Sequence, residues 1–199
     1  MFNLPPSTLI NKPLFKKAVF EKFNLRAPER ERFDADISRM VLLAHVSPST
    51  ISALKGGESI KDFYVMLVAL KHKDYDTRNI FMLQKLIPQK LVFALQYEGE
   101  TQLCIFHTRL QQSAWVLTDE TKIPLNGLTL DSVWENLVAE IGQLDAKAEE
   151  TIEEQILNRE RREKLQRQIA LLEKQCRAEK QTRKKFELHQ QIQNLKTQL

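Results

Sequence analysis

The sequence predicts an α+β protein: a mixed β-sheet flanked by helices over residues 1–143, then a long coiled-coil-like helical extension over residues 144–199. Three observations predict it. Residues 145–199 contain neither glycine nor proline and are dominated by good helix formers. Ile60 to Leu70 is apolar almost throughout, as expected of a central strand covered on both faces. Between that run and the β-rich Leu91 to Tyr97 lies a helix-period pattern, Ile80, Phe81, Leu83, Leu86 and Ile87, so a helical crossover joins the two strands.

The elements follow in chain order. Pro5-Pro6 and Pro13 keep the first thirteen residues extended, and Phe2, Leu4, Leu9, Ile10 and Leu14 lay this arm against the body. Phe15, Val19, Phe20 and Phe23 are spaced for the inner face of a short helix, and Pro28 suits the first turn of a second one running to about Arg39. Met40 to Val46 reads either as a buried strand or as the end of that helix. Gly56-Gly57 makes a turn before the central strand, and Asp76 or Thr77 caps the crossover helix, which Pro88 ends.

Leu91 to Tyr97 and Gln102 to Thr108 form a hairpin around Glu98-Gly99-Glu100-Thr101. Ser113 to Leu117 and Lys122 to Leu125 continue the antiparallel part. Leu130, Val133, Trp134, Leu137, Val138 and Ile141 mark a last helix of the domain, capped near Thr129 or Asp131.

Within the extension, Leu165, Ile169, Leu172 and Cys176 form one heptad block and Leu188, Ile192, Leu195 and Leu199 another. Each is a narrow apolar stripe suited to a helix-on-helix seam, so these eight residues are the expected partner interface. Two short blocks leave open whether the arm is one rod or folds back at Arg177 to Lys185 as a hairpin.

The net charge of +4 comes mostly from the extension: Lys and Arg outnumber Asp and Glu by 17 to 16 before Asp145 and by 13 to 10 from there on. Arg159 to Lys185 holds eleven basic residues against four acidic. Arg177, Lys180, Arg183, Lys184 and Lys185 are therefore the candidate nucleic-acid contacts, against the plainer reading of a solvated helix surface. Cys104 and Cys176 have no CxxC context and read as small hydrophobes. The absence of a signal-peptide pattern and of a long apolar run makes a cytoplasmic protein, without a membrane partner, the expectation.

Constellations that could carry chemistry are sparse. His45, His72, His107 and His189 lie apart, with no ligand spacing among them, so no metal is expected. Asp62 with Lys71 or Lys73, near Glu98 and Glu100, resembles a nuclease set only loosely, because no D-x-K or E-x-K falls on a strand. His45 beside Ser47 and Ser49 is read as loop hydrogen bonding in a proline turn. Glycine-rich phosphate loops and GxSxG are absent, so no cofactor is expected.

Several landmarks together carry a family resemblance. They are Phe2-Asn3-Leu4-Pro5, Asn11-Lys12 with Lys16-Lys17, Ser47-Pro48-Ser49-Thr50-Ile51, Ile87-Pro88 before the strand of Phe93 and Tyr97, Trp115, Gly127-Leu128-Thr129-Leu130-Asp131, Glu179-Lys180-Gln181, and Lys184-Lys185-Phe186-Glu187-Leu188. Over nearly its whole length the chain is similar to the bacterial family catalogued as domain of unknown function forty-three ninety-one. That resemblance supplies no catalytic residues. It implies a setting near helicase and DNA methyltransferase genes of restriction or phage-defence type. The expected function is a non-enzymatic accessory or adaptor protein of such a system, engaging a protein partner or its own copy through the C-terminal arm. The alternatives are a nuclease-like enzyme and a direct, non-specific nucleic-acid binder.

Overall fold

Eight consecutive residues with almost no polar side chain, Phe63–Leu70, form strand β3 at the middle of the sheet. The description rests on a computed structural model and covers residues 1–145, 148 and 150–198. In chain order the remaining elements of the first unit are β1 (Leu9–Leu14), α1 (Lys16–Lys22), α2 (Ala27–Asp36), β2 (Ile37–Val46), α3 (Thr77–Leu86), β4 (Lys90–Tyr97), β5 (Glu100–Phe106), β6 (Leu110–Gln112), β7 (Val116–Leu117) and α4 (Leu130–Gly142). The sheet runs β1-β2-β3-β4-β5-β6, with β7 also on β5. Among the described strands β3 and β4 are the pair that runs parallel, and α3 is their crossover.

Alternation of side chains across β3 divides the core in two. Met66, Val68 and Leu70 join Phe93 and Leu95 of β4 and Cys104 of β5 beneath Val19, Phe33, Ile80 and Leu83 from α1, α2 and α3. On the opposite face Phe63 meets Trp134 of α4 edge-on, with ring centroids 5.6 Å apart. Val133, Leu137, Val138 and Ile141 of α4 are buried as well. The sheet is therefore flanked by helices on both faces, as the sequence predicts.

Several local expectations are refined. The N-terminal arm includes an edge strand, β1, which the prolines hid; Pro13 is tolerated there because an edge strand need not donate on both sides. Residues 37–46 are strand, not helix end, and α2 stops at Asp36. Lys122 to Leu125 forms no strand. Phe15 and Phe81, expected inward, are 74% and 46% exposed. Phe15 precedes α1 as its N-cap, outside the helical register.

The loop between β2 and β3 is tied to α4. Asp131 accepts backbone N–H groups of Glu58, Ser59 and Ile60 at 2.6, 3.2 and 2.8 Å. Lys55 N–H donates to Leu128 O and Leu130 N–H to Lys55 O, both at 3.0 Å. Thr129 caps α4 in a reciprocal exchange with Ser132.

The chain divides into two compact units, Met1–Lys147 and Ala148–Leu199. The second unit is two helices, α5 (Ile152–Ala178) and α6 (Thr182–Lys196), so the arm takes the hairpin form of the two left open by the sequence. Thr151 and Glu154 form a capping box at the start of α5, and Glu179 to Gln181 is the turn. No helix among the described residues is long and apolar enough to cross a membrane.

Candidate functional site

The loop 71–76 leaves the carboxyl end of β3 and enters α3, which is where open α/β sheets commonly take their ligands. Here its side chains fasten the loop. His72 Nε2 lies 3.3 Å from the Asp36 carboxylate, Lys73 pairs with Glu100, and the Lys73 ammonium sits 5.4 Å from the Trp115 ring centroid. Tyr75 donates its hydroxyl proton to Gln102 Oε1 at 2.8 Å and accepts from Gln112 Nε2 at 2.6 Å. Asp36, only 6% exposed, accepts the Asp76 N–H at 2.8 Å and Asn79 Nδ2 at 2.6 Å. Asp76 in turn caps α3 and binds the Arg78 side chain, which holds its carboxyl below the usual aspartate range.

The chemistry of this cluster is that of a clasp. Burial pushes the Cys104 thiol up to about 12 and raises the Tyr75 hydroxyl well above its ordinary value. Both stay protonated at neutral pH, and a thiol without thiolate character is not a nucleophile.

The nuclease-like set comes together only at Lys73 and Glu100, and Asp62 stands apart from both. Asp62 precedes β3 while Lys71 and Lys73 follow it, so the eight-residue strand holds them apart by roughly 26 Å. Asp62 instead accepts His45 Nε2 at 2.8 Å. The His45 ring stacks on Tyr64, its cross-strand neighbour, at 4.4 Å and 14°. Ser47 and Ser49 hydroxyls bond to each other at 2.7 Å, and Thr50 Oγ1 donates to the His45 carbonyl at 3.0 Å. The hydroxyls thus bond to one another and to backbone rather than to the imidazole, which is the loop bonding expected of a proline turn. Among the described residues no group of three or more His, Cys, Asp or Glu could hold a metal ion.

The hairpin collects the remaining candidates. Leu165, Ile169 and Ile192 are buried, and Leu172, Cys176, Leu188 and Leu195 are half-buried. Leu199 lies outside the described residues. Lys196 Nζ meets Glu173 Oε1 at 2.8 Å, and Cys176 Sγ approaches the Lys185 carbonyl at 3.7 Å, so α6 turns back along α5. In the closed hairpin the three buried seam residues are not available to another chain.

What α5 leaves exposed is different. Leu157 and Leu171 are 54% and 57% exposed, and Phe186 on α6 is 62% exposed. A groove lined by Glu150, Glu154, Leu157 and Asn158 lies beside the first of these leucines. Arg177, Lys180, Arg183, Lys184 and Lys185 are all exposed, and the turn brings them to one end of the hairpin. The exposed leucines were missed because they fall outside the heptad blocks. Their separation of two heptads was the available signal.

Comparison with protein families matches residues 2–199 to Domain of unknown function (DUF4391). No curated protein and no solved structure matches the chain. Because the match spans essentially the whole sequence, the chain belongs to this family.

Proposed function

We propose that this family member is a non-enzymatic accessory protein that assembles with a second copy through its C-terminal hairpin. Its working context is then the DNA-transacting one that the resemblance implies, in the cytoplasm that the sequence pattern leads one to expect. Three carboxylates of the first unit are engaged in fastening loops: Asp131 to residues 58–60, Asp36 to Asp76 and Asn79, Asp62 to His45. That engagement favours a scaffold over a reaction site.

The observation that carries the reading is the exposed pair Leu157 and Leu171 on a helix otherwise rich in charge. Separated by fourteen residues, they lie on one stripe of α5, equally far from Lys164. An antiparallel copy sets each leucine on the other's partner. It also puts Glu154, in the acidic first turn, opposite Lys174 near the basic end. Burying such a leucine stabilises by roughly 1.5–3 kcal/mol relative to leaving it in water.

Cysteines at 157 and 171, in a Cys176→Ser background, test the arrangement. Mild oxidation should yield a disulfide-linked dimer joining 157 of one copy to 171 of the other. Recovery of monomer only, or linkage at random among cysteines, would overturn it.

A further inference from the structure

We infer that the tip of the hairpin binds the phosphate backbone of a duplex nucleic acid. The turn at residues 179–181 brings the last turn of α5 and the first turn of α6 together, and Cys176 touching the Lys185 carbonyl shows how close the two segments come. Arg177, Lys180, Arg183, Lys184 and Lys185 thereby share one end of the unit, against Glu179 and Glu187 alone over residues 177–187.

Neither acid quenches the patch. Glu179 is committed to the turn, accepting the backbone N–H groups of Lys180 at 2.8 Å and Gln181 at 2.9 Å. Glu187 reaches only Arg183, at 3.4 Å, with the arginine side chain 93% exposed. Lys180, Lys184 and Lys185 are exposed, and the attraction of Glu179 for Lys184 is weaker than the backbone hydrogen bonds that hold Glu179 in the turn.

The position of the cations is itself informative. Arg183, Lys184 and Lys185 occupy the first turn of α6, where the helix dipole is positive, cations are disfavoured and acids are the usual choice. That turn has no acidic residue, and Gln181 supplies no side-chain cap. A local rule broken this way is expected where function requires it. An anion would be attracted both by the three side chains and by the free N–H groups of the helix start.

A polyanion with evenly spaced phosphates matches this chemistry. A membrane surface fits less well, since interfacial helices present a broad apolar face and this tip exposes a single large one, Phe186. The contact is independent of base sequence, because Lys and Arg on phosphates carry none.

The test is fluorescence anisotropy of labelled duplex DNA, with duplex RNA alongside, titrated with the full chain over a salt series. Each phosphate contact contributes about 0.9 to the slope of log K against log salt on B-DNA. Replacing Arg183, Lys184 and Lys185 together with Gln should therefore lower that slope by about 2 to 3. The pair Lys184→Arg and Lys185→Arg should keep it. Circular dichroism checks that helix content is unchanged.

The control removes equal charge from exposed sites of the first unit, by Lys12→Gln, Lys85→Gln and Lys122→Gln, and should leave the slope in place. Absence of duplex binding at low salt would overturn the inference. So would an equal loss in the control, or binding confined to phosphatidylserine vesicles. The result is independent of dimer formation, which is read from mass rather than anisotropy.

Discussion

A Cβ added to Gly57 would stand 2.3 Å from Oδ1 of Asp131. The aspartate fills the place where a side chain would be, because its carboxylate is drawn down onto three backbone N–H groups of the same loop. Glycine here is a requirement of space rather than of backbone angle.

Gly57→Ala should accordingly destabilise the first unit by about 1–3 kcal/mol, the usual penalty for forcing atoms into a filled site. Gly56→Ala, whose new Cβ would meet only Pro48 at 3.8 Å, should be neutral or slightly stabilising. Denaturant midpoints of the two variants measure the difference. Equal midpoints would show that the loop does not depend on the Asp131 clasp.

Phe93 is fully buried at the centre of β4, beneath α3. Phe93→Ala should cost about 3–5 kcal/mol in a urea melt. Phe81→Ala, on an exposed ring that leans on Phe106 at 4.4 Å, should cost far less. Comparable losses would mean that the packing around β4 is misassigned.

The arm's fold is measurable directly. Nitroxides at Lys164 and Thr197, both exposed, would lie roughly 50 Å apart on a continuous helix. The hairpin predicts less than half of that by pulsed electron–electron resonance. Ile192→Ala should loosen the distribution, since this side chain is the buried one on α6.

Acid should open the same hairpin. Glu173 is held below its ordinary value of 4.5 first by the Lys196 ammonium, and Glu154 and Glu179 are held below theirs chiefly by hydrogen bonds from Thr151 and Gln181. A carboxyl depressed in the folded state contributes stability that is present above its unfolded value and is lost as pH falls through the folded one. The nitroxide distance should stay constant from neutral pH down to about 4.5 and broaden below it. Broadening on the alkaline side instead would contradict these assignments.

Much of the first unit was legible in the sequence because its signals are local. The capped α3 and α4, the apolar run of β3 and the turn at Glu98-Gly99 each announce themselves within a few residues. Strand β1 was hidden because its stability comes from pairing with β2, a distant segment, and its prolines point the other way. The clasps of Asp36, Asp62 and Asp131 join residues 17 to 73 positions apart, so no pattern in the chain could place them. In the arm, the heptad blocks were visible. That the two helices pack on one another was not, since a stripe states that it needs a cover and not which helix provides it.

The most direct measurement is the mass of the full chain by light scattering coupled to size exclusion, across a concentration series. The assembly described here predicts a dimer of the 23.2 kDa chain, converted to monomer by Leu157→Lys with Leu171→Lys. It also predicts a tighter dimer for Lys164→Leu, because in the antiparallel pair Lys164 faces its own copy and like charges repel. A wild-type chain that remains monomeric at every concentration, or a dimer indifferent to all three residues, would contradict it.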